Sequence, residues 1–160
     1  MEPSMSTKPK RTARPARNPL LMIAGKQRIG RDDADRLLFP LAAHLYEVAA
    51  GQGYAISIRV VTLFAAAAYD AALYYKHDAL KQIADKAGDM WIAGAQRCAD
   101  HGIADRVVLT GDELRAARLL VRALNDLLPG MEVAAWRAFV DNARRRWAQY
   151  ATDSVFAWAA

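Results

Sequence analysis

Apolar positions recur along this chain at intervals of three and four residues, the spacing that builds one face of an α-helix. Leu38, Leu41, Leu45 and Val48 form the first such face. The expected helix opens near Asp32 or Asp33, where an acidic side chain caps free amides and opposes the helix dipole, and runs to about Ala50. Pro40 lies inside it and removes an amide donor, which predicts a kink or a fresh helix start. Gly51 and Gly53 close the segment.

The stretch from about Ala55 to Tyr75 has a different pattern. Between Val60 and Tyr69 only Thr62 is polar, so a helix here is apolar around nearly its whole circumference, as expected of a central helix covered on most sides. Its polar positions, Arg59, Thr62, Asp70 and then His77, fall roughly along one line that also passes through Ala66. The run Ala65 to Ala68 lets neighbouring helices approach closely. From Tyr75 to Asp100 the pattern stays helical, with Gly88 and Gly94 as weak points, and a break is expected near Gly88. His101 to Leu109 reads as a loop with a brief extended piece from Arg106.

The sharpest local signal is Thr110-Gly111-Asp112-Glu113. A threonine followed three residues later by glutamate is a capping box, in which each side chain takes the other residue's free amide. The helix it opens carries Leu114, Ala117, Val121, Leu124 and Leu128 on one face and stops at Pro129-Gly130. A last helix follows, with Val133, Trp136, Val140, Ala143, Trp147 and Tyr150 at the same spacing. So short a turn predicts two antiparallel helices in contact. The fold expected is all-α: a single-domain helical bundle of about five main helices, with a central apolar helix and a C-terminal antiparallel helical hairpin.

Composition agrees with one globular domain. The chain has 160 residues, of which 54% are hydrophobic and 24% charged; that length is enough for one core without metals or disulfides. The one cysteine, Cys98, forms no internal disulfide and suits a reducing compartment. Pro19 to Ala24 is too short an apolar stretch for a secretory signal, and Arg59 and Asp70 interrupt the longest one, so a cytoplasmic protein that is not integral to a membrane is expected.

Charge changes the picture more. Residues 1–31 hold eight basic side chains (Lys8, Lys10, Arg11, Arg14, Arg17, Lys26, Arg28 and Arg31) against Glu2 alone, a net +7. The other 129 residues hold 14 basic and 16 acidic side chains, a net −2. The basic character belongs to the leader and not to the bundle. The expected division is a flexible basic N-terminal arm over residues 1–30, a helical bundle over 31–152 and an aromatic tail over 153–160.

Candidate chemistry is sparse. Ile83-Ala84-Asp85-Lys86-Ala87-Gly88 resembles the first helix and turn of bacterial helix-turn-helix repressors. The second helix of that motif wants buried aliphatic residues where this chain has Asp89, Gly94 and Arg97, so an ordinary bend at glycine is the favoured reading. Cys98 and His101 have ligand-like spacing without a second pair, and His44 with Glu47 lacks the further inward carboxylates of a dimetal bundle, so neither metal nor any other cofactor is expected. Asp70, set between Tyr69 and Tyr74 on the most apolar helix, is the acid expected to be partly buried, with a tyrosine hydroxyl or a basic side chain from another helix as partner. It heads the enzyme candidates, ahead of His44 and His77; no nucleophile elbow or phosphate loop accompanies it.

Two functions from different classes follow. The first is a non-enzymatic, bacterial-type accessory or regulatory protein that contacts nucleic acid, or an acidic or nucleoprotein partner, through the eight cations of the arm. Arg144, Arg145 and Arg146 form a secondary basic patch for the same purpose, or a helix-surface ion-pair ladder involving Arg137 and Asp141. The second is a helical adaptor or inhibitor that binds a protein, or a copy of itself, through a helix face or through Phe156 and Trp158 of the tail.

Overall fold

The computed structural model describes residues 26–103 and 106–153 of the chain, with side chains through residue 149. Within them lie five helices: α1 (Arg31–Ala49), α2 (Ala55–Tyr75), α3 (Asp78–Asp100), α4 (Gly111–Leu127) and α5 (Val133–Asp153). The fold is an all-α, single-domain helical bundle. The arm cations Lys8, Lys10, Arg11, Arg14 and Arg17 and the tail residues Phe156 and Trp158 lie outside the described residues.

The pattern of apolar positions explains the packing. The predicted α1 face is the face that is buried, with Ala34 added to it. α1 packs on α2, α2 on α3, α3 on α4, and α4 returns to α1, which closes a ring of four helices. α5 lies outside that ring and packs on α2. α2 therefore has one side toward the ring interior and another toward α5, and its all-round apolarity follows from this double role. By length and composition α2 could also cross a membrane, but 56% of its most apolar stretch is buried by the protein itself. Ile58, Val61, Ala67, Ala68 and Ala71 on it are fully buried, together with Leu41, Trp91, Leu120 and Leu124 from other helices and Leu128 just past α4.

Several expectations change. α1 begins at Arg31 with Gly30 as its cap; Asp32 and Asp33 lie in its first turn and make no side-chain capping bond. The helix passes through Pro40 without a fresh start. Pro40 is on the exposed side, where water can reach the Arg36 carbonyl that lacks its usual donor. No break occurs at Gly88: α3 is one helix of 23 residues across both glycines. That removes the bend and the repressor-like motif together, since there is no turn for a second helix to follow. Burial of Ala84, Ala87, Trp91, Ala95 and Cys98 along one stripe holds the helix together where glycine alone would weaken it.

The C-terminal hairpin is corrected as well. α4 and α5 are joined at Pro129-Gly130 as expected, yet they do not pack along each other; α4 lies on α3 and α1, and α5 on α2. A short connection favours contact between neighbours, but the larger apolar surface of α2 takes the last helix. The turn between them holds residues 27–29 instead. The Ile29 amide donates to the Met131 carbonyl at 2.8 Å, the Gly130 amide to the Ile29 carbonyl at 2.9 Å and the Val133 amide to the Gln27 carbonyl at 2.9 Å. Ile29 is itself buried. Residues 27–30, assigned by sequence to the arm, are thus built into the bundle.

The α3–α4 loop is pinned in a similar way. The Val107 amide donates to the Gly53 carbonyl at 2.8 Å, and Val107 is buried. A Cβ on Gly53 would stand 2.2 Å from Val48 Cγ2 and 2.9 Å from its Cα, so only glycine lets the α1–α2 loop fold this closely onto the end of α1.

Candidate functional site

Three helices that surround a groove supply the most promising site. Thr62, Leu63, Ala65, Ala66 and Tyr69 from α2, Asp85, Gly88, Asp89 and Ile92 from α3, and Ala143, Arg146 and Trp147 from α5 enclose a cavity of about 490 Å³. Its existence traces to small side chains at helical spacing: a Cβ on Gly88 would still lie 3.6 Å from Ala65 Cβ, and Ala66 and Ala143 add little bulk where α2 meets its neighbours. Of the line seen in the sequence, Thr62 and Ala66 line this groove, and Asp70 is bonded to Arg146, which also lines it. Thr62 satisfies its hydroxyl internally by donating to the Ile58 carbonyl at 2.8 Å.

Arg146 closes one side of the groove. Its guanidinium donates to Asp70 Oδ2 at 2.8 Å and to the Ala66 carbonyl at 3.2 Å. Of the partners expected for Asp70, the basic side chain from another helix is the one present. The Asp70 side chain retains 15% of its exposure and that of Arg146 41%, so the pair sits at the rim and is reached by water.

A second arginine–carboxylate pair joins α3 to α4. Glu113 accepts from Arg97 through both oxygens, at 2.5 and 2.8 Å, and from the Thr110 amide at 2.7 Å, while the Glu113 amide donates to Thr110 Oγ1 at 3.4 Å. The capping box is therefore present as expected. Trp91, fully buried, donates its indole N–H to the Glu113 carbonyl at 2.9 Å, and Arg97 also donates to the Val108 carbonyl at 3.1 Å. Bonding to Arg97, assisted by the Thr110 amide, pulls the Glu113 carboxyl below its ordinary 4.5 against the opposing effect of burial. Arg97 was singled out in the sequence only as unsuited to a recognition helix; its bond to Glu113 spans 16 residues and no local pattern announces it.

The other candidates do not assemble. His44 Nδ1 lies 3.1 Å from Glu47 Oε2 and 3.2 Å from Ser57 Oγ. A relay needs the acid and the hydroxyl on opposite ring nitrogens, and here both face the same one. Ser57 is also fully buried, and its Oγ accepts from the Tyr54 amide at 3.4 Å. His77 accepts from the Leu80 amide at 3.1 Å as the cap of α3. Cys98 Sγ contacts the backbone of Val108 while His101 turns to the Arg97 carbonyl at 2.8 Å, so the two do not converge. No group of three or more His, Cys, Asp or Glu suited to a metal occurs among the described residues.

The basic positions separate. Arg144 pairs with Asp141 at 3.6 Å, Arg145 donates to Asn142, and Arg146 turns inward to Asp70. The three neighbours thus have three different partners; Asp141 pairs with Arg144 and not with the Arg137 or Arg145 of the expected ladder. Lys26, Arg28 and Arg31 are exposed where the chain enters the bundle, and Arg28 also donates to the Gly130 carbonyl at 3.4 Å. Comparison with protein-family models, with curated proteins and with solved structures gives no match.

Proposed function

We propose that this protein is a non-enzymatic accessory factor whose basic leader contacts nucleic acid. The observation that carries the reading is the segregation of charge, a net +7 in residues 1–31 against −2 in the remainder. Some of the bundle's own cations are also committed internally: Arg97, Arg115, Arg144 and Arg146, four of the 14 basic side chains beyond residue 31, each pair with a carboxylate of the bundle. Lysine and arginine bind the phosphate backbone by releasing counterions, which needs cation density and no particular fold. Lys26, Arg28 and Arg31, exposed at the entrance to the bundle, continue the leader onto the bundle surface.

The test is a salt titration of binding to duplex DNA. If the eight leader cations each neutralise a phosphate, log K falls with log salt at a slope of about −7. Deleting residues 1–17 removes five of them and brings the slope to about −3, with most of the affinity lost. Unchanged binding after that deletion refutes the reading.

A second reading, a helical adaptor for a protein partner, is favoured by one surface. Phe39 and Tyr46, two turns apart on α1, are 70% and 77% exposed. Replacing both with serine abolishes partner binding under this reading while the deletion leaves it intact; the aromatic tail residues Phe156 and Trp158 belong to the same test.

A further inference from the structure

We infer that the groove between α2, α3 and α5 is a binding site for a small organic cation with a flat apolar body. This inference does not depend on the leader binding nucleic acid. Size is the first argument. The groove follows α2 from Thr62 to Tyr69 and α3 from Asp85 to Ile92, eight residues in each case, whose ends lie about 10 Å apart at the rise of an α-helix. That is two turns, too short to seat a partner helix of ordinary length. The cavity of about 490 Å³ lies within the range of small-molecule sites.

The lining gives the polarity of the ligand. Ala65, Ala66, Leu63, Ile92 and the rings of Tyr69 and Trp147 form an apolar floor and walls. Charge is distributed unevenly around them. On the α3 side Asp85 and Asp89 stand one turn apart and exposed, and neither has an ion-pair partner among the described residues. On the α5 side the one lining cation, Arg146, is committed to Asp70 and the Ala66 carbonyl. The balance of the rim is negative, and an anionic ligand would meet both aspartates with no uncommitted cation in the lining. Lys81 Nζ rests 5.7 Å from the centre of the Tyr69 ring, one helical turn from Asp85; this cation offsets one of the two aspartates and leaves the rim net negative by the other. A ligand with its charge near Asp85 and Asp89 and its rings against Ala66 and Trp147 uses each of these features.

The experiment uses the full chain, freed of nucleic acid, with berberine as a flat aromatic cation and oxyberberine as an uncharged molecule on the same skeleton, read by fluorescence and by backbone amide shifts. The expected result is berberine binding tighter than about 100 µM, with shifts at Ala65, Ala66, Gly88 and Ala143 and weaker binding of oxyberberine. Asp85→Asn with Asp89→Asn, both at exposed positions, weakens berberine about three- to tenfold and leaves oxyberberine unchanged. Ala66→Leu fills the floor and weakens both at least about tenfold. Equal affinity for the two probes, indifference of berberine to the aspartate substitutions, or no binding below about 100 µM overturns the inference.

Discussion

Arg97–Glu113 and Arg146–Asp70 are chemically the same pair, and each ties one helix to another, but their surroundings differ. Glu113 keeps 7% of its side-chain exposure and is held by five hydrogen bonds through its carboxylate and backbone, with Trp91 beneath it. Asp70 keeps 15%, is held by one arginine, and lies beside an open groove. A buried carboxylate is stable as an anion only where several donors replace its lost water. The first pair meets that condition and acts as a clamp between α3 and α4. The second is solvated at one edge and shapes a cavity wall.

The largest effect is expected from removing the buried acid. Glu113→Ala loses both the capping box and the bidentate bond and should lower stability in urea unfolding by about 2–4 kcal/mol. The corresponding Asp70→Ala should cost about 0.5–1.5 kcal/mol, because water replaces part of what Arg146 loses. Equal costs for the two would break the distinction.

Acid titration sharpens it. The Glu113 carboxyl is depressed by Arg97 and the Thr110 amide, so the folded state favours the anion. Its contribution is complete above the ordinary value of 4.5 and is lost as pH falls through the lower folded value. Glu113→Gln should therefore flatten the decline of stability below pH 4.5, measured as the urea midpoint at successive pH values.

The two glycines of α3 extend the comparison at the smallest scale, one beside each pair. A Cβ on Gly94 would come 2.6 Å from Leu109 Cδ2 and 3.2 Å from the carboxylate of Glu113, which Arg97 holds in place. Gly94→Ala should therefore destabilise, by about 1 kcal/mol, despite alanine's better helix propensity. Gly88 faces the groove, with Ala65 at an ordinary contact distance, so Gly88→Ala should stabilise by about 0.5–1 kcal/mol in the same assay. Opposite signs are the expected result.

These glycines also show why the sequence misleads at α3. Propensity treats both as weak points, and a break near Gly88 is a fair local inference. Packing decides otherwise, because the neighbouring buried stripe spans both. The same limit applies to the last two helices. A two-residue stop at Pro129-Gly130 is visible in the sequence, but whether α5 folds back on α4 or crosses to α2 depends on which exposed apolar surface is larger. Half of the node at Glu113 was legible, since Thr110 and Glu113 lie within one turn. Arg97 was not, and neither was the choice of Arg146 from three adjacent arginines as the partner of Asp70, 76 residues away.

The amino-acid sequence by itself determined the number and type of the helices, the capping of α4, the central place of α2 and the confinement of the net positive charge to the leader. Each of these depends on neighbours within a turn or on composition, where periodicity, side-chain reach and charge act directly. Only the tertiary structure decided that four helices close a ring with α5 outside it, that residues 27–30 are clamped over the α4–α5 turn, and that three helices leave a groove beside Asp70. Those outcomes depend on how helix faces of similar apolar character match in shape when brought together, and that matching is not written in any local run of residues.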